Sequence, residues 1–418
     1  MRFLYSLLLY LLTPYLLVRL WWKGRRLSAY RQNIAERFCL DKFPPITVEV
    51  WLHAVSLGEV IAATPLIEAL LQQKQRVLIT CMTPTGRERA KAQFGERVIV
   101  RYLPYDLPWV LHRFFSKVKP KLALIMETEL WPNLLVHAKK AQIPIFLLNA
   151  RLSEHSFKGY KRFDFFFKPL ISHFQCIFTQ SEEDATRFRA LGADPKKVQM
   201  LGNMKFDLRI QELDNASFRA IKKLLGEDRL ILLLASTHGD EEQQVLSRLN
   251  ALQERLPSLL LLIAPRHPER FQEVYQSSIN LGFKTGLRSK SASLTPDNEV
   301  VILDSLGELP GFYSIADYAF VGGSLVPVGG HNVLEPIALG IPVFSGSHVH
   351  NFKTICRDLL EAKAIVLVNT ADELIEEVIS LHQNPSKKHQ QITNASRVLH
   401  ENKGAIARYM ASIEELLG

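Results

Sequence analysis

A two-domain α/β fold built on parallel sheets is predicted by three features of this sequence. The chain has 418 residues, more than one ordinary hydrophobic core accommodates. Short apolar runs alternate with helix-length segments through residues 48–179 and again through residues 230–344, the pattern of strand–helix–strand crossovers. Polar and glycine residues gather just after the apolar runs, on the edge of an open α/β sheet where ligands bind.

The elements follow in order. Phe3–Leu17 is almost wholly apolar, and Arg19, Trp21, Trp22, Lys23, Arg25 and Arg26 come after it. No small-residue cleavage site follows, which argues against a removable signal peptide. About 20 residues are needed to cross a bilayer, and this segment barely reaches that. The Trp pair and basic cluster suit a membrane interface with the next domain on the cytoplasmic side. Residues 1–26 are therefore read as an uncleaved anchor, spanning or half-inserted, with a buried soluble helix as the alternative. Leu27–Phe43 is expected to be a helical connector. Strands are expected at Val48–His53, Arg76–Cys81, Val98–Tyr102, Lys121–Met126, Ile145–Asn149 and Cys176–Thr179, within a first domain covering residues 27–203. A polar linker is expected at 204–227 and a second domain at 228–418, with strands at Leu230–Ala235, Leu259–Ala264, Val300–Leu303, Tyr318–Val321 and Ile341–Phe344.

Composition narrows the partners. Of the residues, 47% are hydrophobic and 22% charged, and the net charge is +9, which favours an anionic partner. The segment Phe157–Leu170, FKGYKRFDFFFKPL, mixes basic and aromatic residues in the manner of a single-strand nucleic-acid surface or an anionic membrane surface. Beside an N-terminal anchor, the membrane is the better match. The four cysteines are scattered without a CxxC pair, which argues against a zinc site or a disulfide framework.

The polar loops converge on Gly322–Gly346, GGSLVPVGGHNVLEPIALGIPVFSG. A strand, a glycine loop, a helix over Val333–Leu339 and another strand would place free backbone N–H groups and a helix dipole where a phosphate could sit. Glu335 would accept hydrogen bonds from a ribose diol. An ordinary α/β loop is the alternative for the glycines alone.

The strings HAVSLGE, TPTG, LPYD, METELWPN, LNARLS, GNMKFD, APRHPERF and FVGGSLVPVGGHNVLEP together resemble the transferases of 3-deoxy-D-manno-octulosonic acid (Kdo) in lipopolysaccharide synthesis. The resemblance runs from the anchor to at least Phe352. It implies two Rossmann-like domains facing a cleft, the GT-B glycosyltransferase architecture. It also implies inverting transfer of Kdo from CMP-Kdo to a hydroxyl of lipid IVA at the bacterial inner membrane, with no nucleic-acid partner. By the same resemblance Glu59 is the general base, facing that cleft, and Glu127 and Lys205 support the transition state. Glu129 is a rival of Glu127, since on a strand the two would share a face. Pro265 and Arg266 meet the nucleotide, Leu306, Gly307 and Glu308 contact CMP, and Asn332, Val333, Leu334 and Glu335 take phosphate and ribose. Ser236, Thr237 and His331 are further lining candidates, and His267 is structural or lining. No cofactor and no metal are expected, because CMP carries one phosphate and the sequence has no Asp-x-Asp motif. A UDP-sugar transferase or epimerase, or a non-catalytic nucleotide-binding membrane protein, is the competing reading.

Overall fold

The computed structural model describes residues 2–25, 27–207 and 215–417. Arg26 of the expected anchor and residues 208–214 of the expected linker lie outside the described residues. Two compact units result, residues 1–207 with 404–418, and residues 208–403.

Among the described residues each unit holds a seven-stranded, wholly parallel sheet. In the first unit the strands are β1 Ile46–His53, β2 Val77–Cys81, β3 Ile99–Tyr102, β4 Val118–Met126, β5 Ile145–Ala150, β6 Phe174–Thr179 and β7 Val198–Met200, in the order β3-β2-β1-β4-β5-β6-β7. In the second they are β8 Leu230–Thr237, β9 Leu259–Pro265, β10 Thr285–Leu287, β11 Val300–Ile302, β12 Tyr318–Val321, β13 Val343–Gly346 and β14 Val366–Val368, in the order β10-β11-β9-β8-β12-β13-β14. Every residue of β2 and of β9 is buried, as expected of parallel strands covered on both faces. Strand order reverses between β1 and β4 in one sheet and between β8 and β12 in the other. Each reversal opens a crevice at the carboxyl ends of the strands.

Several expectations need correction. The connector at Leu27–Phe43 is not an α-helix but two 3-10 turns, Ser28–Arg31 and Ile34–Phe38. Asn33 and Cys39, both left-handed, break it. The aromatic segment is likewise split at Phe163 into helices Glu154–Arg162 and Asp164–Ile171. Strands β7, β10 and β14, three residues each, are too short to register as apolar runs. The expected linker is largely folded: Met204 and Phe206 are buried in the first unit, while helix Asn215–Leu225 packs on the second through Ile221 and Leu225. Its polar outer face gave that helix the composition of a linker.

The expected second domain, 228–418, also ends too late. The last helix, Ala405–Leu417, belongs to the first unit. Asp207 causes this: its carboxylate accepts the N–H groups of Gly404 (2.7 Å) and Ile406 (2.5 Å), serving as a cap supplied from elsewhere in the chain. Ala405, Tyr409 and Ile413 are then fully buried against β4–β6 neighbours such as Phe146 and Phe178. The Tyr409 hydroxyl accepts the Asn149 N–H at 3.0 Å and lies 3.2 Å from the Gly202 carbonyl, to which it donates.

Substituting Tyr409→Phe leaves a buried N–H and a buried carbonyl without that partner. We expect a loss of about 1–3 kcal/mol, read by calorimetry as a lowered unfolding transition for the first unit and an unchanged one for the second. An unaltered first transition would remove Tyr409 from this role.

Candidate functional site

In the first unit, the loop after β1 carries Glu59 and the loop after β4 carries Glu127, so the strand reversal brings them to one edge of the sheet. Ser56, in extended conformation, caps helix α2 (Leu57–Gln72), and Glu59 lies in its first turn. The Glu59 carboxylate bends back to accept the Val55 N–H at 2.8 Å and the Ser56 hydroxyl at 3.0 Å. This is a capping arrangement, and it also fixes the side chain in one orientation. Burial pushes the Glu59 carboxyl up to about 7, and the charge of Glu127 adds to that rise. A carboxyl that ionises near neutrality is matched to proton transfer.

Glu127 and Lys205 meet as a pair. Lys205 Nζ lies 3.6 Å from Glu127 Oε1, and Arg151 Nε lies 3.2 Å from Glu127 Oε2. Glu127 sits in the left-handed region at φ 56°, a conformation that costs energy in any residue with a Cβ. It therefore turns off the end of β4, and the shared strand face expected for Glu127 and Glu129 does not exist. Glu129 instead accepts the Trp131 indole N–H at 2.6 Å, and burial raises its carboxyl to about 7. Lys205 occupies a turn held by Asn203 and by Asn149, whose Oδ1 accepts the Met204 N–H at 3.1 Å. Arg151 and Asn149 were not picked out in the sequence. Both lie in the string LNARLS, which offers no local signal of a partner two strands away.

In the second unit, the first half of the glycine loop is already occupied. The buried Glu241 carboxylate accepts N–H groups from His238 (2.9 Å), Gly323 (2.7 Å), Ser324 (2.9 Å) and Leu325 (2.8 Å). The phosphate expected on Gly322–Ser324 therefore has no donors there. A Cβ on Gly322 would come within 2.8 Å of Glu241 Oε2, and one on Gly346 within 2.1 Å of the Ser324 carbonyl. Glycine at these positions lets the loop close over the carboxylate. Glu242 beside it accepts Thr237 Oγ1 and pairs with Arg270 at 2.7 Å. The fully buried Thr237 thus braces the loop and does not line a pocket.

The open polar surface lies further along the loop. The rings of His238 and His331 stack at 4.9 Å with Nε2 atoms 2.8 Å apart, and His267 meets His238 edge-on. Burial lowers His238 to about 4 and His331 to about 3, helped by neighbouring cations including Arg266. Two neutral imidazoles can share one N–H. Pro265 is buried at the end of β9, whereas Arg266 is exposed and its N–H bonds the Thr237 carbonyl. Arg266 also opposes the rise that burial imposes on the Glu335 carboxyl, which puts its charge near that group. Ser236 joins this edge in a left-handed conformation.

The helix expected over Val333–Leu339 is shorter, Leu334–Ala338, and its dipole is correspondingly small. Asn332 Oδ1 accepts the Leu334 N–H, and Asn332 Nδ2 donates to Glu335 Oε1, both at 3.1 Å. Val333 and Leu334 are fully buried, so only their backbones can reach a ligand. Leu306 and Gly307 are exposed, Gly307 at φ 85°. The Glu308 carboxylate is held by Arg288 at 2.7 Å and by Ser305. Among the described residues no group of three or more His, Cys, Asp and Glu side chains is placed to hold a metal ion.

Comparison with known proteins bears on both units. A family model described as 3-deoxy-D-manno-octulosonic-acid transferase (kdotransferase) matches residues 27–208. The chain is 38% identical to a 3-deoxy-D-manno-octulosonic acid transferase of Haemophilus influenzae, over 100% of this chain and 99% of that one. It is 33% identical to the Bordetella pertussis protein of the same name, over 100% of both. Among solved structures, Anabaena Alr3699/HepE in complex with UDP matches at TM-score 0.59 and 14% identity, over 88% of this chain and 100% of that one. The S. aureus MnaA–UDP structure matches at TM-score 0.57 and 14% identity, over 88% and 97%. The fold is accordingly the two-Rossmann GT-B architecture.

Replacing Glu241 by Gln substitutes an amide donor for one oxygen amid clustered N–H donors. We expect a destabilisation of about 3–5 kcal/mol, the scale of a broken buried charge network, seen as a lowered melting transition of the second unit. A wild-type transition in Glu241→Gln would show that the loop does not depend on this carboxylate.

Proposed function

The chain belongs to the 3-deoxy-D-manno-octulosonic-acid transferase family, and from that premise we propose that it moves Kdo from CMP-Kdo to a hydroxyl of lipid IVA, with Glu59 as the general base. The observation that carries this is the immobilised, buried Glu59 carboxyl whose ionisation is raised to about 7 beside an ion-paired Glu127. Lipopolysaccharide synthesis at the cytoplasmic face of the bacterial inner membrane is the setting this reading gives the enzyme, with lipid and not nucleic acid as its large partner.

The acceptor hydroxyl loses its proton to Glu59 as its oxygen attacks the anomeric carbon of Kdo. The bond from that carbon to the CMP phosphate breaks on the opposite side, so the anomeric centre inverts and CMP leaves with the electron pair. Val55 N–H and the Ser56 hydroxyl orient the receiving carboxylate. Glu127 keeps Glu59 basic, and Lys205 and Arg151 balance the charge of Glu127 as the sugar acquires oxocarbenium character.

The second unit holds the nucleotide. Arg266 supplies a permanent positive charge for the single phosphate, and the His238–His331 pair beside it can offer an N–H without adding net charge. Asn332 orients Glu335 toward a ribose diol, Leu306, Gly307 and Glu308 frame the nucleotide through backbone groups, and the backbones of Pro265, Val333 and Leu334 complete the contact. One phosphate met by Arg266 requires no divalent ion in this scheme, and EDTA should leave turnover unchanged. Loss of activity restored by a divalent metal would overturn that part.

Glu59→Gln should lower the transfer rate by about 10²–10⁴, the usual worth of general base catalysis, while CMP binding by calorimetry is unchanged. Residual transfer within tenfold of the parent would eliminate Glu59 as the base. The base works ionised, so the rate should fall as pH drops through about 7. Glu127→Gln removes a negative charge that opposes ionisation of Glu59, so this acidic limb should move to lower pH. A limb that stays in place or moves upward would separate the two carboxylates.

A further inference from the structure

Helix α1, Arg2–Lys23, is long and apolar enough to cross a membrane, with a mean hydropathy of 1.6. At roughly 1.5 Å per residue it measures about 33 Å, the thickness of a hydrocarbon core. The helix is nevertheless tied to the first domain along its length. Tyr5, Ser6, Leu9, Thr13, Leu16 and Leu20 are the turned-in residues, at the spacing of a single helical face, and Ser6 and Leu20 at its two ends are buried. Near the start, the Tyr5 hydroxyl donates to Asp106 Oδ2 at 2.9 Å, and Ser6 Oγ bonds the Asn133 side-chain amide at 3.0 and 3.2 Å. Asp106 and Asn133 are themselves buried and joined, for Asp106 accepts the N–H groups of Asn133 (3.0 Å) and Leu134 (2.7 Å). Leu9 packs on the domain core, and the Tyr5 ring lies 6.2 Å from that of Phe166. At the far end, Arg31 Nε donates to the Trp21 carbonyl at 3.1 Å.

A spanning helix is incompatible with these contacts. Ser6 would stand about 26 Å from Lys23, in the opposite leaflet, and could not reach Asn133 of a domain outside the bilayer. The opposite face of the helix presents Phe3, Leu4, Leu8, Leu11, Tyr15 and Val18 to solvent, Phe3 at 78% and Leu11 at 70% exposure. Arg2, Arg19, Lys23 and Arg25 border it, and no Asp or Glu precedes Glu36. The neighbouring helices add exposed Phe163 and Phe165 with Lys158 and Arg162. An apolar face edged by cations suits the headgroup–acyl boundary of an anionic bilayer.

We propose that α1 is an in-plane membrane helix, docked lengthwise on the first domain by Tyr5 and Ser6 and meeting lipid with its outer face, and that it does not span the bilayer. The proposal rests on the membrane setting given above. Its test uses the full chain carrying a short Gly/Ser extension with one cysteine ahead of Met1, in inverted inner-membrane vesicles. A second version carries Ser291→Cys on the exposed surface of the second domain as the orientation control, and the unextended parent gives the background. A membrane-impermeant maleimide should label the extension and the control to the same degree in intact vesicles, a ratio near one that detergent does not change. Labelling of the extension only after detergent, with the control already labelled, would overturn the in-plane helix while leaving membrane association intact. A chain that fails to float with the vesicles would instead refute the membrane setting and the proposal with it.

Discussion

The Glu241 carboxylate, buried beneath the Gly322–Leu325 loop, decides what that loop can do. By accepting N–H groups from both strand-end loops at the second sheet's reversal point, it converts a flexible glycine turn into a fixed platform. The same device recurs at each important junction. Asp106 binds the N-terminus of helix Pro132–Lys140, Asp207 that of the final helix, and Asp184 the Leu152 N–H after β5. An ionised or strongly polar acceptor facing several backbone donors is worth more than neutral pairs, and leaving such donors buried and unmatched is costly. Parallel sheets need this, because every strand ends at the same edge and its loop has no partner strand to bond.

The working carboxylates differ from these supports by the number of donors they meet. Glu241 is surrounded by N–H groups, whereas Glu59 meets one N–H and one hydroxyl and faces the negative charge of Glu127. Two acids at helix N-termini thus perform opposite tasks, one locked in its charged form and the other held near neutrality. The strain at Glu127 has a place in this scheme. Its left-handed backbone turns the side chain toward Arg151 and Lys205, and Asn149, also left-handed, anchors the turn that carries Lys205.

The layers and the parallel sheets were legible in the sequence because buried strands such as LLLLIAP are unbroken apolar runs. Long motifs also placed Glu59, Glu127, Lys205 and Arg266 on strand-end loops. What escaped was information carried by distant pairs. Nothing near Gly322 indicates that an acid some eighty residues earlier fills its donors, and Asp207 gives no sign of capping Gly404 and Ile406. The fate of Leu27–Phe43 and the shortness of the helix at Leu334 turn on single left-handed residues and one asparagine cap, features weaker than hydrophobic periodicity.

The final helix has a consequence for how the chain is made. The first domain is discontinuous, and its core includes Tyr409 and Ile413 from the closing segment. During vectorial synthesis the first sheet must wait, with the Phe146–Phe178 surface uncovered, until nearly the whole chain has left the ribosome. The second domain is continuous and can complete its core earlier, reversing the usual N-to-C order of domain folding. Contacts such as Asn149 to Tyr409 carry a high loop-closure cost. Biogenesis of the base-bearing domain is therefore limited by its last residues to emerge.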